Sequence, residues 1–369
     1  MHPHSLSETF STPANCAACR TSIRQGSQSF YIASLLLPLE VREPAYAVYA
    51  FCRMADDLID RQQGGEDAIG ELTAMLDRIY SGRPGRHFVE RGFADVVARF
   101  AIPRAVPEAL VEGLAWDAAG KRYETLDDLT DYAVRVAGTV GFMMTLIMDR
   151  RDPNVLARAC DLGVAMQLTN IARDIGEDAA NGRLYMPQSW LREAGIDPDA
   201  WLASPCYSPA IRSVVERLLG EAEMLYDRSL TGINALPGNV RLGINAARLL
   251  YREIGRRVVR GVDPVAQRAV TSKRTKLLAL ARAVRTRVAS NDNLFDPPVP
   301  AAVFLVEAVA VAGAPRPGPA ILPWWNVKAR SLRMVDLLTS FSARANAAET
   351  ASASQPFLIR RRTDFGTGS

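Results

Sequence analysis

Along most of the chain apolar residues return every three or four positions, and alternation with a period of two is scarce, so the pattern predicts helices rather than strands. Ala, Leu, Arg and Glu are abundant and β-branched runs are few, which supports the same reading. Breaks fall at Pro38, Gly64-Gly65, Ser81 to Gly85, Pro103 to Pro107, Asp152-Pro153, Asn181-Gly182, Pro205 to Pro209 and Pro237-Gly238, and they separate about ten helices. None is long enough for an interdomain linker. The expected fold is therefore all-α, with a single domain over residues 15–290. Residues 291–344 read as a proline-rich segment and a C-terminal helix, introduced by Pro323-Trp324-Trp325, that packs on the domain or touches a membrane. Residues 345–369 are small, polar and basic and read as a disordered tail.

Two segments depart from the ordinary amphipathic pattern. In AVYAFCRMADDLID, residues 47–60, Tyr49, Arg53, Asp56 and Asp60 share one narrow stripe with Asp57 beside it, and nearly every other position is apolar. A helix that is apolar nearly all round is buried, so these aspartates are expected to point into an internal cavity. In AMQLTNIARDIGED, residues 165–178, Gln167, Asn170, Asp174 and Asp178 form a second stripe beside Leu168, Ile171, Ala172 and Ile175, with Arg173 and Glu177 flanking it. Gly176 lowers helix propensity there by about 1 kcal/mol relative to Ala, which points to close packing or a local widening of the helix. A solvated acidic patch paired with Arg53 would leave the apolar surroundings unexplained. Buried like charges raise one another's pKa values unless a cation joins them.

Composition narrows the chemistry further. The chain of 369 residues is 48% hydrophobic and 23% charged, enough for a sizeable core, and its net charge of +4 is small against 44 basic and 40 acidic residues. That balance gives no support for nucleic-acid binding. Five cysteines at irregular spacing do not read as a disulfide framework, which favours a cytoplasmic protein. Cys16 and Cys19 form a single Cys-x-x-Cys on an expected helix, and without a second pair a zinc site is not expected. No signal sequence or membrane span is expected, because the longest apolar stretches, 137–148 and 301–314, fall short of roughly 20 residues.

Carboxylate and amide oxygens without cysteine or histidine favour a hard cation, Mg²⁺ or alternatively Mn²⁺, completed by substrate phosphates. A diphosphate between the two stripes would meet Arg53, Arg173, Gln167 and Asn170, while apolar walls keep an allylic cation from water. Phosphoryl transfer is disfavoured because no Gly-x-x-x-x-Gly-Lys loop follows a strand, and no Gly-x-Gly-x-x-Gly suggests a dinucleotide.

At this point the chain resembles the squalene and phytoene synthase family across roughly residues 16–290. GSQSFYIASLLLP (26–38), YAFCRMADDLID (49–60), RVAGTVGFMM (135–144), QLTNIARDIGED (167–178) and GRLYMP (182–187) carry the resemblance in family order. With AARLLYREIG (246–255) they look most like the bacterial carotenoid-pathway members. The resemblance implies an isoprenoid-synthase-type helical bundle around a central cavity. It implies metal binding by Asp56, Asp60, Asp174 and Asp178 with Asn170 assisting, and a diphosphate and reaction site lined by Gly26, Ser27, Gln28, Ser29, Tyr49, Arg53, Gln167, Arg173 and Tyr251. Tyr49, Arg53 and Tyr251 would stand at the reacting groups, and Lys273 and Arg274 are further phosphate-contact candidates.

The implied reaction joins two geranylgeranyl diphosphates through a cyclopropyl diphosphate to phytoene, with no NADPH consumed. The chain departs from the family at Val134, where many members carry tyrosine, so a hydroxyl there is missing or supplied elsewhere. Pattern alone does not measure cavity depth. A squalene, dehydrosqualene or presqualene diphosphate synthase using farnesyl diphosphate therefore stands as the alternative, and a catalytically silent assembly factor stands behind it. Loose membrane contact follows only from Trp324, Trp325 and the basic tail, and oligomeric state has no sequence signal.

Overall fold

The structure, a computed structural model, describes residues 9–61, 66–266, 281–283 and 293–312; the side chains at 60, 61 and 66 are outside that description. Among the described residues there is no strand, and the architecture is all-α. The boundaries expected near 290 and 344, the helix after Trp325 and the 345–369 tail lie outside the described residues.

Two prolines at the expected breaks, Pro153 and Pro209, stand in the first turn of the helix that follows. α1 (Pro13–Gly26) opens on a reciprocal box in which Asn15 N donates to the Thr12 hydroxyl and Thr12 N donates to Asn15 Oδ1 at 2.9 Å. α2 is Gln28–Ser34, α3 Leu39–Arg61, α4 Glu66–Tyr80, α5 Phe88–Phe100 and α6 Ala105–Ala118. α7 (Leu126–Ala133) runs through one wide π turn, Val134–Gly138, directly into α8 (Thr139–Ile147). α9 (Pro153–Ala180) starts on Asp152, whose carboxylate accepts from Asn154 N and Val155 N, with Pro153 in the first turn where it needs no donor. α10 is Gln188–Glu193 and α11 Pro198–Ala203; α12 (Pro209–Ala235) is capped by Ser208, and α13 is Gly238–Val259. A 3₁₀ turn, Pro300–Ala302, leads into α14 (Val303–Val311). The described helices outnumber the ten expected because one-turn and two-turn pieces such as α2, α10 and α11 carry no full period for a pattern to register.

α9 is the axis of the bundle, packed against α12, α13, α8 and the π turn. A Cβ on Gly163 of α9 would collide with the Ala137 carbonyl in the π turn, so the two backbones approach as only glycine permits. On the other side α3 lies against α1 and α5, where Phe51 stacks on Phe93 with centroids 4.1 Å apart. α2 packs on α13 and closes the space between these two groups. No helix among the described residues is long and apolar enough to cross a membrane.

Candidate active site

The first stripe begins inside the bundle and ends outside it. Tyr49 and Cys52 line an apolar cavity, whereas the side chains of Arg53 and Asp56 are 49% and 50% exposed. Arg53 pairs with Asp57 at 2.8 Å and with Asp56 at 3.8 Å, the helical i,i+4 and i,i+3 partners. The expectation that these aspartates point into a closed interior is corrected. Ala50, Phe51 and Ala55 are buried as the pattern required, but the stripe itself runs from the cavity wall out to its rim. Asp60 lies in the last turn of α3, and its side chain is outside the described residues. Burial pushes the Tyr49 hydroxyl up to about 12, against the pull of Arg53. That hydroxyl occupies the space a Cβ on Gly26 would need, which explains the glycine that ends α1. Ser27 caps α2 by accepting from Phe30 N at 3.4 Å, with Gln28 exposed and Ser29 half-buried after it.

The second stripe matches its sequence reading more closely. Leu168, Ile171, Ala172 and Ile175 are buried, and Gln167, Asn170, Asp174 and Asp178 are half-buried beside them. Arg173 holds Asp174 through both carboxylate oxygens, one at 2.7 Å. Asn170 Nδ2 donates to Gln167 Oε1 at 3.4 Å, and the buried Asn170 Oδ1 has no hydrogen-bond partner. Asp178 is pushed up to about 7, first by burial and then by Asp174, Glu177 and Asp117, with Arg183 opposing. Gly176 is explained by contact: a Cβ there would collide with the Val265 carbonyl, and Gly176 N donates to Pro264 O at 3.3 Å.

A third carboxylate, not singled out from sequence, joins the stripes. Asp117 of α6 accepts hydrogen bonds from the hydroxyls of Tyr132 and Tyr185, both at 2.8 Å. Tyr132 also packs its ring on Tyr123 and Tyr185, with centroids 5.2 and 5.3 Å away. Burial lifts Asp117 to about 6 despite those two donors and Arg183, and Asp56 adds to the rise. Because Asp117 in turn raises Asp178, its charge couples the two stripes. The signal was available: Leu110, Gly113, Leu114 and Asp117 recur at helical spacing, and the first three are buried. Val134 is fully buried in the π turn, and two residues earlier Tyr132 carries a hydroxyl toward Asp117.

The cavity measures about 310 Å³ and draws its walls from α2, α3, α8, α9, α12 and α13. Tyr49, Gln167 and Asn170 form a polar end to a mainly apolar space whose wall also includes Ser34, Thr145, Arg158 and Ser229, and Phe30 stacks on the buried Tyr251 at 4.9 Å between centroids. Among the described residues no three or more His, Cys, Asp or Glu side chains close on a point where an ion would sit. The donor set nonetheless fits a hard cation: it is all oxygen, Asn170 Oδ1 lacks a partner, and Asp178 is destabilised as an anion. Such an ion would need further ligands from a bound phosphate. Cys16 is exposed and Cys19 buried, and both are free thiols on α1. Lys273 and Arg274 lie outside the described residues.

Residues 23–276 match the family described as squalene/phytoene synthase. The chain is 48% identical over 316 residues to a phytoene synthase of Cereibacter sphaeroides, covering 81% of this chain and 89% of that protein. It is 42% identical over 266 residues to a 15-cis-phytoene synthase of a Paracoccus species, covering 69% and 86%. Among solved structures it is similar to a ligand-bound dehydrosqualene synthase, with 31% identity, a TM-score of 0.67 and coverage of 74% of this chain and 96% of that one. A squalene synthase from Alicyclobacillus acidocaldarius is similar at 25% identity and a TM-score of 0.60, covering 67% and 94%.

Proposed function

The chain belongs to the squalene/phytoene synthase family, and from that premise we propose that it condenses two geranylgeranyl diphosphates head to head into phytoene for carotenoid biosynthesis. It is a prenyltransferase, and its substrate class is the prenyl diphosphates. The observation that carries the finer reading is the run of one apolar cavity along α9 beneath the carboxylate stripe. The cavity touches α9 from Asn170 back to Val155, a rise of roughly 22 Å at about 1.5 Å per residue. A geranylgeranyl chain, with roughly sixteen carbons in line and bonds near 1.5 Å that project to about 1.25 Å each, extends about 19 Å. A farnesyl chain would leave the deeper part of that space unfilled.

Asp56, Asp174 and Asp178, with Asn170, would hold Mg²⁺ or Mn²⁺, which supplies neutralisation of the departing diphosphate. Asp60 belongs with them by its place in the stripe. Arg53 and Arg173, each now paired with an aspartate, sit where a diphosphate bound across the stripes would find cationic donors. Gly26, Ser27, Gln28 and Ser29 run from the last residue of α1 into the first turn of α2, with Gly26 against the Tyr49 hydroxyl, and Tyr251 stacks on Phe30, which lines the cavity.

Inside, the apolar walls exclude water while one donor loses its diphosphate and its carbon is captured by the double bond of the other. Loss of a proton closes the cyclopropane; loss of the second diphosphate and rearrangement follow, and a second proton leaves to form the central double bond. The electron count balances without a reductant. The test is incubation of the purified protein with Mg²⁺ and either geranylgeranyl or farnesyl diphosphate, with and without NADPH. Phytoene from the longer donor, with rate and product unaffected by NADPH, is expected; NADPH-dependent squalene from farnesyl diphosphate would overturn the proposal.

A further inference from the structure

An arginine is built into the wall of this apolar cavity, far from the carboxylate stripes. Arg158 of α9 lines the cavity, yet its side chain is 0% exposed, as is that of Asp161, whose Oδ2 accepts from Arg158 Nε at 2.7 Å. The remaining guanidinium nitrogens donate to a strap of backbone: Nη1 to the carbonyls of Asn293 at 2.6 Å and Asp296 at 3.0 Å, and Nη2 to that of Pro297 at 3.3 Å. Arg228 of α12 pairs with the same Asp161 at 3.3 Å and donates to Pro297 O at 2.9 Å. From Arg158 to Asn170 is roughly 18 Å along α9, and to Asp174 roughly 24 Å. Those figures bracket the extended length of a geranylgeranyl chain whose diphosphate rests at the stripe.

We infer that Arg158 is the length stop of the prenyl cavity, a specificity-determining residue whose stem narrows the deep end, one turn of α9 before the last lining residue Val155, and whose guanidinium is locked from behind by Asp161 and the Asn293–Pro297 strap. The inference rests on the prenyl reading of the cavity given above. Three features make the stop stiff. The head of the side chain is committed to fixed acceptors, so the stem cannot swing aside without leaving a buried cation unpaired. Gly232 of α12 presses on the stem: a Cβ there would collide with Arg158 Cβ and stand 3.1 Å from Cγ. The side chain is closed in on every side, 0% exposed, with its charge held among carbonyls rather than in the cavity. A leucine or phenylalanine would close the same space but could shift rotamer under a longer chain.

The test compares donors of 15, 20 and 25 carbons (farnesyl, geranylgeranyl and geranylfarnesyl diphosphate) on the full chain. For the wild type kcat/KM is expected to fall at least tenfold from the 20-carbon to the 25-carbon donor. Arg158→Ala, with folding verified by circular dichroism, should raise the ratio of 25-carbon to 20-carbon kcat/KM at least tenfold, and Arg158→Met, which restores the stem, should return it toward the wild-type ratio. Asp161 keeps Arg228 as a partner in both variants. Binding of non-ionisable 20- and 25-carbon analogues to the wild type repeats the comparison without any variant, and the shorter should bind at least tenfold more tightly. Equal use and binding of the two lengths by the wild type, or an Arg158→Ala variant that slows all donors by one common factor, would overturn the length stop. Turnover of geranylgeranyl diphosphate with unshifted ratios removes this inference alone, whereas no product from any donor removes the prenyl reading and the stop with it.

Discussion

Replacing Asp117 by asparagine should change how the stability of the protein depends on pH. The Asp117 carboxyl is lifted from its usual 3.8 to about 6, chiefly by burial, while the Tyr132 and Tyr185 hydroxyls and Arg183 pull it down and Asp56 pushes it up. A carboxyl with a raised folded value holds its proton more tightly when folded, so ionisation opposes folding. The cost is absent below the unfolded value, grows as pH rises from about 4 to about 6, and is complete above that, where it reaches about 3 kcal/mol. Between about pH 4.5 and about pH 7.5 the wild type should therefore lose about 2 kcal/mol that Asp117→Asn does not. The asparagine can still accept from one tyrosine hydroxyl and donate to the other, so the constant part of the change cancels in the comparison. Urea unfolding of both proteins at the two pH values, with metal chelated, measures the double difference. A value below about 0.5 kcal/mol would refute the claim that Asp117 is a strained buried carboxylate.

Other expected outcomes follow from the same site. Asp56→Ala and Asp174→Asn should each lower turnover by about a hundredfold or more while leaving helical content intact, since each removes a proposed metal ligand and relieves like-charge repulsion; near-normal activity at saturating Mg²⁺ would count against the two-stripe arrangement. Mg²⁺ and a non-ionisable prenyl diphosphate analogue should raise Tm together by clearly more than the sum of their separate effects, because among the described residues no cluster of carboxylates closes on an ion and a proposed shared site would be completed by phosphate; additive shifts would argue against a shared site. Gly176→Ala should destabilise the protein by about 2 kcal/mol or more in chemical unfolding, since its Cβ would meet the rigid Val265 carbonyl, and a neutral result would contradict that packing.

Much of this was legible in the chain because it follows a local rule. The stripes on α3 and α9 are periodicities of three and four, and the buried neighbours Leu168, Ile171 and Ile175 sit where the pattern placed them. Gly176 was readable as a close contact for the same reason, although its partner near Val265 was not. What escaped depends on residues distant in sequence. The exposure of Asp56 is decided by which helices cover the end of α3, and apolar flanks say nothing about that. Asp117 sits at helical spacing from buried Leu110 and Leu114, but one of its two hydroxyl partners comes from 68 residues downstream. Arg158 and Asp161 look like any exposed i,i+3 pair until the strap from residue 293 onward is laid over them.

That strap also has a consequence for how the molecule is made. A chain emerging from the ribosome completes α9 long before residue 293 appears, and α12 and α13 come out in between. Through that interval both carboxylate stripes can be in place while the Arg158 guanidinium waits for most of its acceptors. A buried cation short of partners keeps its neighbourhood loose, so this end of the bundle should be the last to lock during synthesis. By the same logic it should be the first to open when the finished protein is stressed.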